Sequence, residues 1–183
     1  MEYEYLTAHA FLIRNFLSNE ECDECIALAE GQGFDEAPIN SLFGTVRAPS
    51  IRNNDRVMID DPALAAKLWE RAEDYVFQPV TGYEPIGLNE RFRFYRYGPG
   101  QMFRWHRDGA FERNERERSR LTFMVYLNDD FTGGETRFET FEVRPERGMT
   151  LVFLHPLLHE GGEIRSGKKY VLRSDVMYRR VDN

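Results

Sequence analysis

The chain has 183 residues, 42% hydrophobic and 14% aromatic, with a net charge of −7. That length suits one domain with a real core, and Gly and Pro are too few for a disordered or fibrous class. The acidic balance argues against nucleic-acid binding, and no apolar run is long enough to span a bilayer. The opening Met1–Tyr5 shows no signal-peptide pattern, so a cytoplasmic location is expected.

Residues 3–17 read as extended, with Tyr3, Tyr5 and Thr7 alternating before the apolar run from Phe11. Ser18 is a helix N-cap, and Glu21 three residues on completes a capping box. Glu20, Glu21, Asp23 and Glu24 suit the positive end of that helix. Cys22, Cys25, Ile26, Leu28 and Ala29 form its apolar face, and Gly31 and Gly33 end it. Phe34–Ile39 and Arg56–Ile59 are short strands, with Pro38 and Pro49 as breaks and a polar, turn-like Arg52–Arg56 between them. Asp60-Asp61-Pro62 starts a second helix. Its apolar positions are Leu64, Leu68, Trp69, Ala72, Tyr75 and Val76, and Gln78-Pro79 stops it.

From residue 88 the period changes to that of a strand. Arg91–Tyr97 alternates, with Phe92 and Phe94 on an apolar face and Arg91, Arg93 and Tyr95 on a polar one. Gly98-Pro99-Gly100 is a turn, and Met102–His106 is a second strand. Residues 109–120 form a charged loop or short helix. Leu121–Leu127 is a continuous apolar strand, hence central. Short strands follow at Glu135–Phe138, Phe141–Val143, Met149–Leu154 and His159–Ile164. A long strand, Lys168–Arg179, closes the chain. Two helices followed by about eight turn-spaced strands predict an antiparallel sandwich or barrel with the helices packed on one sheet.

Charge and cysteine placement add detail. Residues 1–46 carry nine acids against Arg14 alone. Residues 91–120 carry nine arginines against Asp108, Glu112, Glu115 and Glu117, a distribution able to attract an anion. The only cysteines, Cys22 and Cys25, lie one turn apart on an acidic helix. With no second pair, they read as packed thiols rather than a redox or zinc site.

Chemistry concentrates at Tyr97–Asp108. His106 and Asp108, two apart on an extended chain, share a side. Two imidazoles and one carboxylate make a facial triad suited to divalent iron with open positions, whereas structural zinc is closed by four ligands. His159 is the second imidazole, and Lys168, Lys169 and Arg173 follow it. By strand alternation Lys169 and Arg173 share a face, and Lys168 points away. His155 reads as a supporting or surface residue and His9 as structural.

The ordered set Tyr97-Gly-Pro-Gly-Gln, His106-x-Asp108, Leu121–Leu127, Gly133-Gly-Glu-Thr136, Pro145-x-x-Gly148, His159 and Gly167-Lys-Lys-Tyr resembles the prolyl 4-hydroxylase-type branch of the iron(II)/2-oxoglutarate-dependent dioxygenases. The likeness covers residues 90–180. It implies a mainly β fold with N-terminal helices: a double-stranded β-helix (jelly-roll) core supported by two or three α-helices. It implies one dioxygenase domain over 1–183, with helical support and edge strands in 1–88 and a catalytic core in 89–180.

By the same resemblance His106, Asp108 and His159 would bind iron(II). Lys169 would hold the far carboxylate of 2-oxoglutarate, with Arg173 as its competitor and Tyr97 and Thr122 as hydrogen-bonding partners. Asp108 departs from halogenating relatives, which lack the carboxylate. The implied reaction is hydroxylation by O2 of a prolyl or other amino-acid-type side chain, in a protein, a peptide or a free amino acid. Oxidative decarboxylation of 2-oxoglutarate to succinate accompanies it, with ascorbate as an accessory reductant. Arg52–Arg56 and Ala110–Arg113 are the expected rim segments. Two other classes would use the same residues: a non-catalytic β-sandwich module binding a small anion or metal, and a zinc- or manganese-dependent hydrolase of cupin type.

Overall fold

The computed structural model describes residues 1–41, 44–46, 48, 50–76 and 82–181. Two strands, β1 (Glu2–Thr7) and β2 (Ala10–Arg14), precede α1 (Asn19–Gln32). The capping box is formed: Ser18 Oγ accepts the Glu21 N–H at 3.2 Å, and Glu21 Oε2 accepts the Ser18 N–H at 3.0 Å. Helix α1 runs through Gly31 and ends at Gly33, whose φ of 83° suits a residue without a Cβ. Its buried face is Cys22, Cys25 and Ala29; Leu28 is exposed, contrary to the expected apolar face.

The single strand expected over 34–39 is instead β3 (Asp35–Glu36) and β4 (Ile39–Ser41), separated at Pro38; β5 (Gly44–Val46) pairs with β4. Strand β6 (Asp55–Asp60) absorbs Asp55 and Arg56 of the supposed turn at 52–56, while Arg52 and Asn54 are buried rather than turn-like. Helix α2 (Pro62–Ala72) is capped by Asp61, whose Oδ1 accepts the Leu64 N–H at 2.9 Å, and passes into a 3-10 turn at Glu73–Tyr75. The chain thus has two α-helices among the described residues. Pro49 and the expected Gln78-Pro79 stop lie outside them. No described helix is long and apolar enough to cross a membrane.

Strand β7 (Tyr83–Leu88) is an addition to the expected list, because Pro85 and Gly87 break its alternation. Next come β8 (Arg91–Tyr97), β9 (Phe103–His106) and β10 (Glu117–Tyr126). Residues 109–116 hold no helix; their alternating charges serve cross-strand pairs such as Arg118–Glu112 at 2.9 Å. Then follow β11 (Thr132–Gly133), β12 (Thr136–Phe138), β13 (Glu142–Val143) and β14 (Thr150–Leu154). The expected 159–164 strand is two, β15 (His159–Gly161) and β16 (Ile164–Ser166). The Gly162 N–H leaves the ladder between them and donates to the Glu135 carbonyl at 2.8 Å. Strand β17 (Lys169–Arg180) is last.

All pairings are antiparallel. The large sheet runs β1-β2-β14-β10-β17-β8-β6-β3, with β7 also on β17; the small sheet runs β13-β12-β15-β9. These two sheets are the jelly-roll core expected from the sequence.

The period of two sorts the large sheet's residues between two cores. Phe92, Phe94, Leu121, Phe123, Val125, Leu172 and Val176 pack with the buried faces of α1 and α2. The alternate positions Tyr95, Tyr97, Tyr126, Phe153 and Val171 face the other way and join Phe138, Val143 and Ile164. That is why β10 reads as a continuous apolar run: helices cover one face and the second core covers the other. On the supposed polar face of β8, Arg91 is exposed and Arg93 half-buried, but Tyr95 is buried and walls the cavity at the second core.

Candidate active site

Strands β9 and β15 are neighbours in the small sheet, with His106 opposite His159. Asp108 lies just beyond the end of β9, where its N–H donates to the His155 carbonyl at 3.1 Å. This register brings one ligand atom from each of His106, Asp108 and His159 within 4.8 Å of the others. Asp108 Oδ1 is 3.7 Å from His106 Nε2, and Oδ2 is 3.7 Å from His159 Nε2.

The imidazoles are oriented from behind. His106 Nδ1 lies 2.7 Å from the Arg104 carbonyl, and His159 Nδ1 lies 2.9 Å from the Leu157 carbonyl. A carbonyl only accepts, so each Nδ1 carries the proton and each Nε2 lone pair faces Asp108. Burial, reinforced by His159, holds His106 down to about 3, and burial also lowers His159; both rings are neutral ligands near neutral pH. Burial pushes the Asp108 carboxyl up, but Arg173, His159 and His106 outweigh it and keep the group ionised. Two neutral imidazole nitrogens and a carboxylate, each held by a second bond, fit a divalent metal with open positions.

A narrow cavity leads inward from this cluster. It is lined by Tyr95, Tyr97, Thr122, Met124, Thr136, Phe153, Lys169 and Arg173, among others. All four residues expected to serve a co-substrate therefore reach it, but their states differ. Lys169 is buried, and its Nζ donates to the Gly134 carbonyl at 2.6 Å. It lies 5.7 Å from the Tyr97 ring centre and 5.2 Å from that of Tyr126. Burial, only partly offset by Glu135, lowers its ammonium to about 7. Gly134 has a φ of +71°, and a Cβ there would come 2.5 Å from Ile164 Cδ1 and 3.3 Å from Lys169 Cδ. Gly134 thus leaves the space in which the lysine lies, while Gly133 lets the chain pass close to the Glu163 carbonyl.

Arg173, on the same face of β17, sits 3.2 Å from both Asp108 Oδ1 and Asp175 Oδ1. Lys168 is exposed. Thr122 lines the cavity, but its hydroxyl donates to Asp108 Oδ2 at 2.5 Å and contacts His155 Nδ1 at 3.1 Å. In this state it braces the ligand carboxylate rather than meeting an incoming group. His155 is buried, with Nε2 2.9 Å from Ser119 Oγ, and so stands behind Thr122 as a support. The ring of His9 is exposed, and its backbone carbonyl accepts the Leu154 N–H at 3.0 Å. Cys22 and Cys25 are buried free thiols; burial raises both, Cys25 to about 12.

A second, open cavity of about 560 Å³ meets the first at Tyr95, Phe103, His106, Asp108 and Arg173. Both expected rim segments contribute to it: Arg52 and Arg56 from one, Ala110 and Phe111 from the other. Sequence reasoning missed Arg93, Tyr95 and Phe103 here. Strand parity could have found Tyr95, since it shares a face with Tyr97.

A family model described as the 2OG-Fe(II) oxygenase superfamily matches residues 92–174. Over that stretch, which carries His106, Asp108, His159 and Lys169, the chain is similar to this superfamily. It is 27% identical over 183 residues to a "Putative prolyl 4-hydroxylase" of Acanthamoeba polyphaga mimivirus, covering 88% of this chain and 71% of that protein. It is 28% identical over 184 residues to "Probable prolyl 4-hydroxylase 11" of Arabidopsis thaliana, covering 89% of this chain and 63% of that one. Among solved structures it resembles the viral collagen prolyl hydroxylase vCPH of Paramecium Bursaria Chlorella virus-1 in its 2OG complex. The TM-score is 0.68 at 23% identity, with 94% of this chain and 97% of that chain covered. That likeness shows the shared fold. Iron(II) and 2-oxoglutarate, the cofactors expected from the sequence, are those for which the superfamily is named.

Proposed function

We propose that this chain is an iron(II)- and 2-oxoglutarate-dependent hydroxylase of a prolyl side chain. The observation that carries the reading is one continuous arrangement. A His–Asp–His cluster lies between an inner cavity ending on a buried lysine and an outer cavity open to solvent. The names of the curated relatives supply the substrate class.

His106 Nε2, His159 Nε2 and Asp108 would hold the metal. When bound, it supplies the redox chemistry by which O2 and 2-oxoglutarate become succinate, carbon dioxide and a hydroxyl group on the substrate. The chain's residues supply position and dryness. Lys169 would hold the distal carboxylate of 2-oxoglutarate, with the Tyr97 hydroxyl as a further donor. A buried cation gains most from a buried anion. Phe153, Val171 and Met124 keep water from the inner cavity. Thr122 and His155 hold Asp108 in place, and Arg173 keeps it ionised. The test is mass analysis of a proline-containing peptide incubated with the protein, Fe(II), 2-oxoglutarate and O2. A gain of one oxygen atom on the proline supports the reading. Succinate release with an unmodified peptide across a broad panel contradicts the substrate assignment.

A further inference from the structure

The outer cavity is lined by five arginines, Arg52, Arg56, Arg93, Arg107 and Arg173, and by one carboxylate, Asp108. This excess does not reflect a basic protein, since the chain carries a net charge of −7. Arg93 and Arg173 share Asp175, at 3.0 and 3.2 Å. Arg173 also leans on Asp108, the same carboxylate that would serve the metal.

Arg52 and Arg56 have no carboxylate partner among the described residues; the phenol of Tyr95 is the acceptor beside them. Arg52 is only 5% exposed, and its guanidinium lies over the rings of Tyr95 and Phe103, 4.5 and 4.4 Å from their centres. Its Nε donates to Asn54 Oδ1 at 2.7 Å, but Nη2 is buried with no hydrogen-bond partner. Arg56 is half-buried on β6, opposite Tyr95, and pairs with no carboxylate among the described residues. Burial lowers its basicity, Tyr95 offsets this in part, and Arg52, Arg93 and Arg173 add repulsion within the cluster. A buried donor without an acceptor and a cation among cations are both relieved by an anion, and stacking on aromatic rings holds Arg52 ready for one.

We infer that the substrate carries a carboxylate close to the reacting residue, received by Arg52 and Arg56 as that residue enters over His106 and Asp108. The inference rests on the hydroxylase reading and narrows its substrate to an acidic one. The carbonyl groups of a neutral peptide would satisfy one or two donors yet leave the charge unbalanced. An acidic side chain beside a peptidyl proline and the free carboxylate of a small amino acid share the required chemistry.

The experiment is calorimetric titration of the full chain, loaded anaerobically with Fe(II) and 2-oxoglutarate. One pair of probes is acetyl-Gly-Glu-Pro-Glu-Gly-amide and its Gln counterpart; the other is N-acetylproline and its amide. A preference of about tenfold for the acid in either pair, shrinking in Arg56→Gln and at high salt, supports the inference and identifies the source of the carboxylate. Arg56→Glu should reverse the order. No preference in either pair, including no binding by any probe, overturns it. So does an Arg56→Glu variant that weakens 2-oxoglutarate binding while leaving the probe preference intact, since the cluster would then serve the co-substrate. Succinate release by the wild-type protein tests the hydroxylase reading separately. Turnover without a charge preference removes the inference alone; a charge preference without turnover removes the hydroxylase reading and leaves only a carboxylate-binding pocket.

Discussion

Lys169 and Arg173 project from one face of β17 into one cavity, yet Arg173 lies 3.2 Å from two carboxylates while Lys169 has a single carbonyl at 2.6 Å. The lysine is therefore the cation left for an incoming carboxylate. Lys169→Met should raise the 2-oxoglutarate requirement about a hundredfold or more, consistent with removing one partner of a buried charge pair. Arg173→Met should chiefly weaken the metal site, by releasing Asp108. Separate titrations of co-substrate and metal distinguish the two outcomes.

The Lys169 ammonium also predicts a pH dependence. Its folded value of about 7 lies below the ~10.4 of an unfolded lysine, so between these values the unfolded chain binds the extra proton. Stability of the protein without 2-oxoglutarate should therefore rise with pH across this window, by at most about 1.4 kcal/mol per unit. 2-Oxoglutarate affinity should move the opposite way, strongest below pH 7 and weakening above it. Denaturant unfolding at several pH values, compared with Lys169→Met, checks the first trend, and titration of 2-oxoglutarate checks the second.

Thr122→Val keeps the shape of the side chain but removes the hydroxyl that donates to Asp108 Oδ2 and contacts His155. Loss of such a support should weaken metal affinity about 10–100-fold while leaving the fold intact. Competition with a chelator measures the affinity, and circular dichroism confirms the fold.

Glu21 ties the two helices together. It completes the cap of α1, and its carboxylate accepts from Arg71 at 2.8 and 2.9 Å. Arg71 is the first cause holding this carboxyl well below the usual range. The contribution is present above the unfolded value of about 4.3 and is lost as pH falls toward the depressed folded value. Glu21→Ala should cost about 2 kcal/mol at pH 7, and the difference from wild type should shrink in acid. Thermal unfolding at pH 7 and at pH 3 measures both.

Much of this architecture is legible in the sequence because strands obey a period of two. Parity puts Lys169 and Arg173 on one face and Lys168 on the other, and β10 announces the double burial of its second half by the nearly unbroken apolar run from Leu121 to Tyr126. The region before β6 is less legible. Its prolines suppress any period, and Arg52 is buried by stacking on Tyr95 and Phe103, contacts made between distant parts of the chain. Strand β7 is hidden by Pro85 and Gly87, since its place depends on the exposed edge of β17 rather than on its own pattern. The bracing role of Thr122 is equally invisible, because it depends on where Asp108 lands after leaving β9.

The most direct measurement of the central claim is succinate formed from 2-oxoglutarate by the purified chain. We predict release that requires both Fe(II) and O2 and that disappears in His159→Ala, a variant still folded by circular dichroism. Absence of succinate from the wild-type protein with iron bound, or unchanged release by His159→Ala, would contradict it.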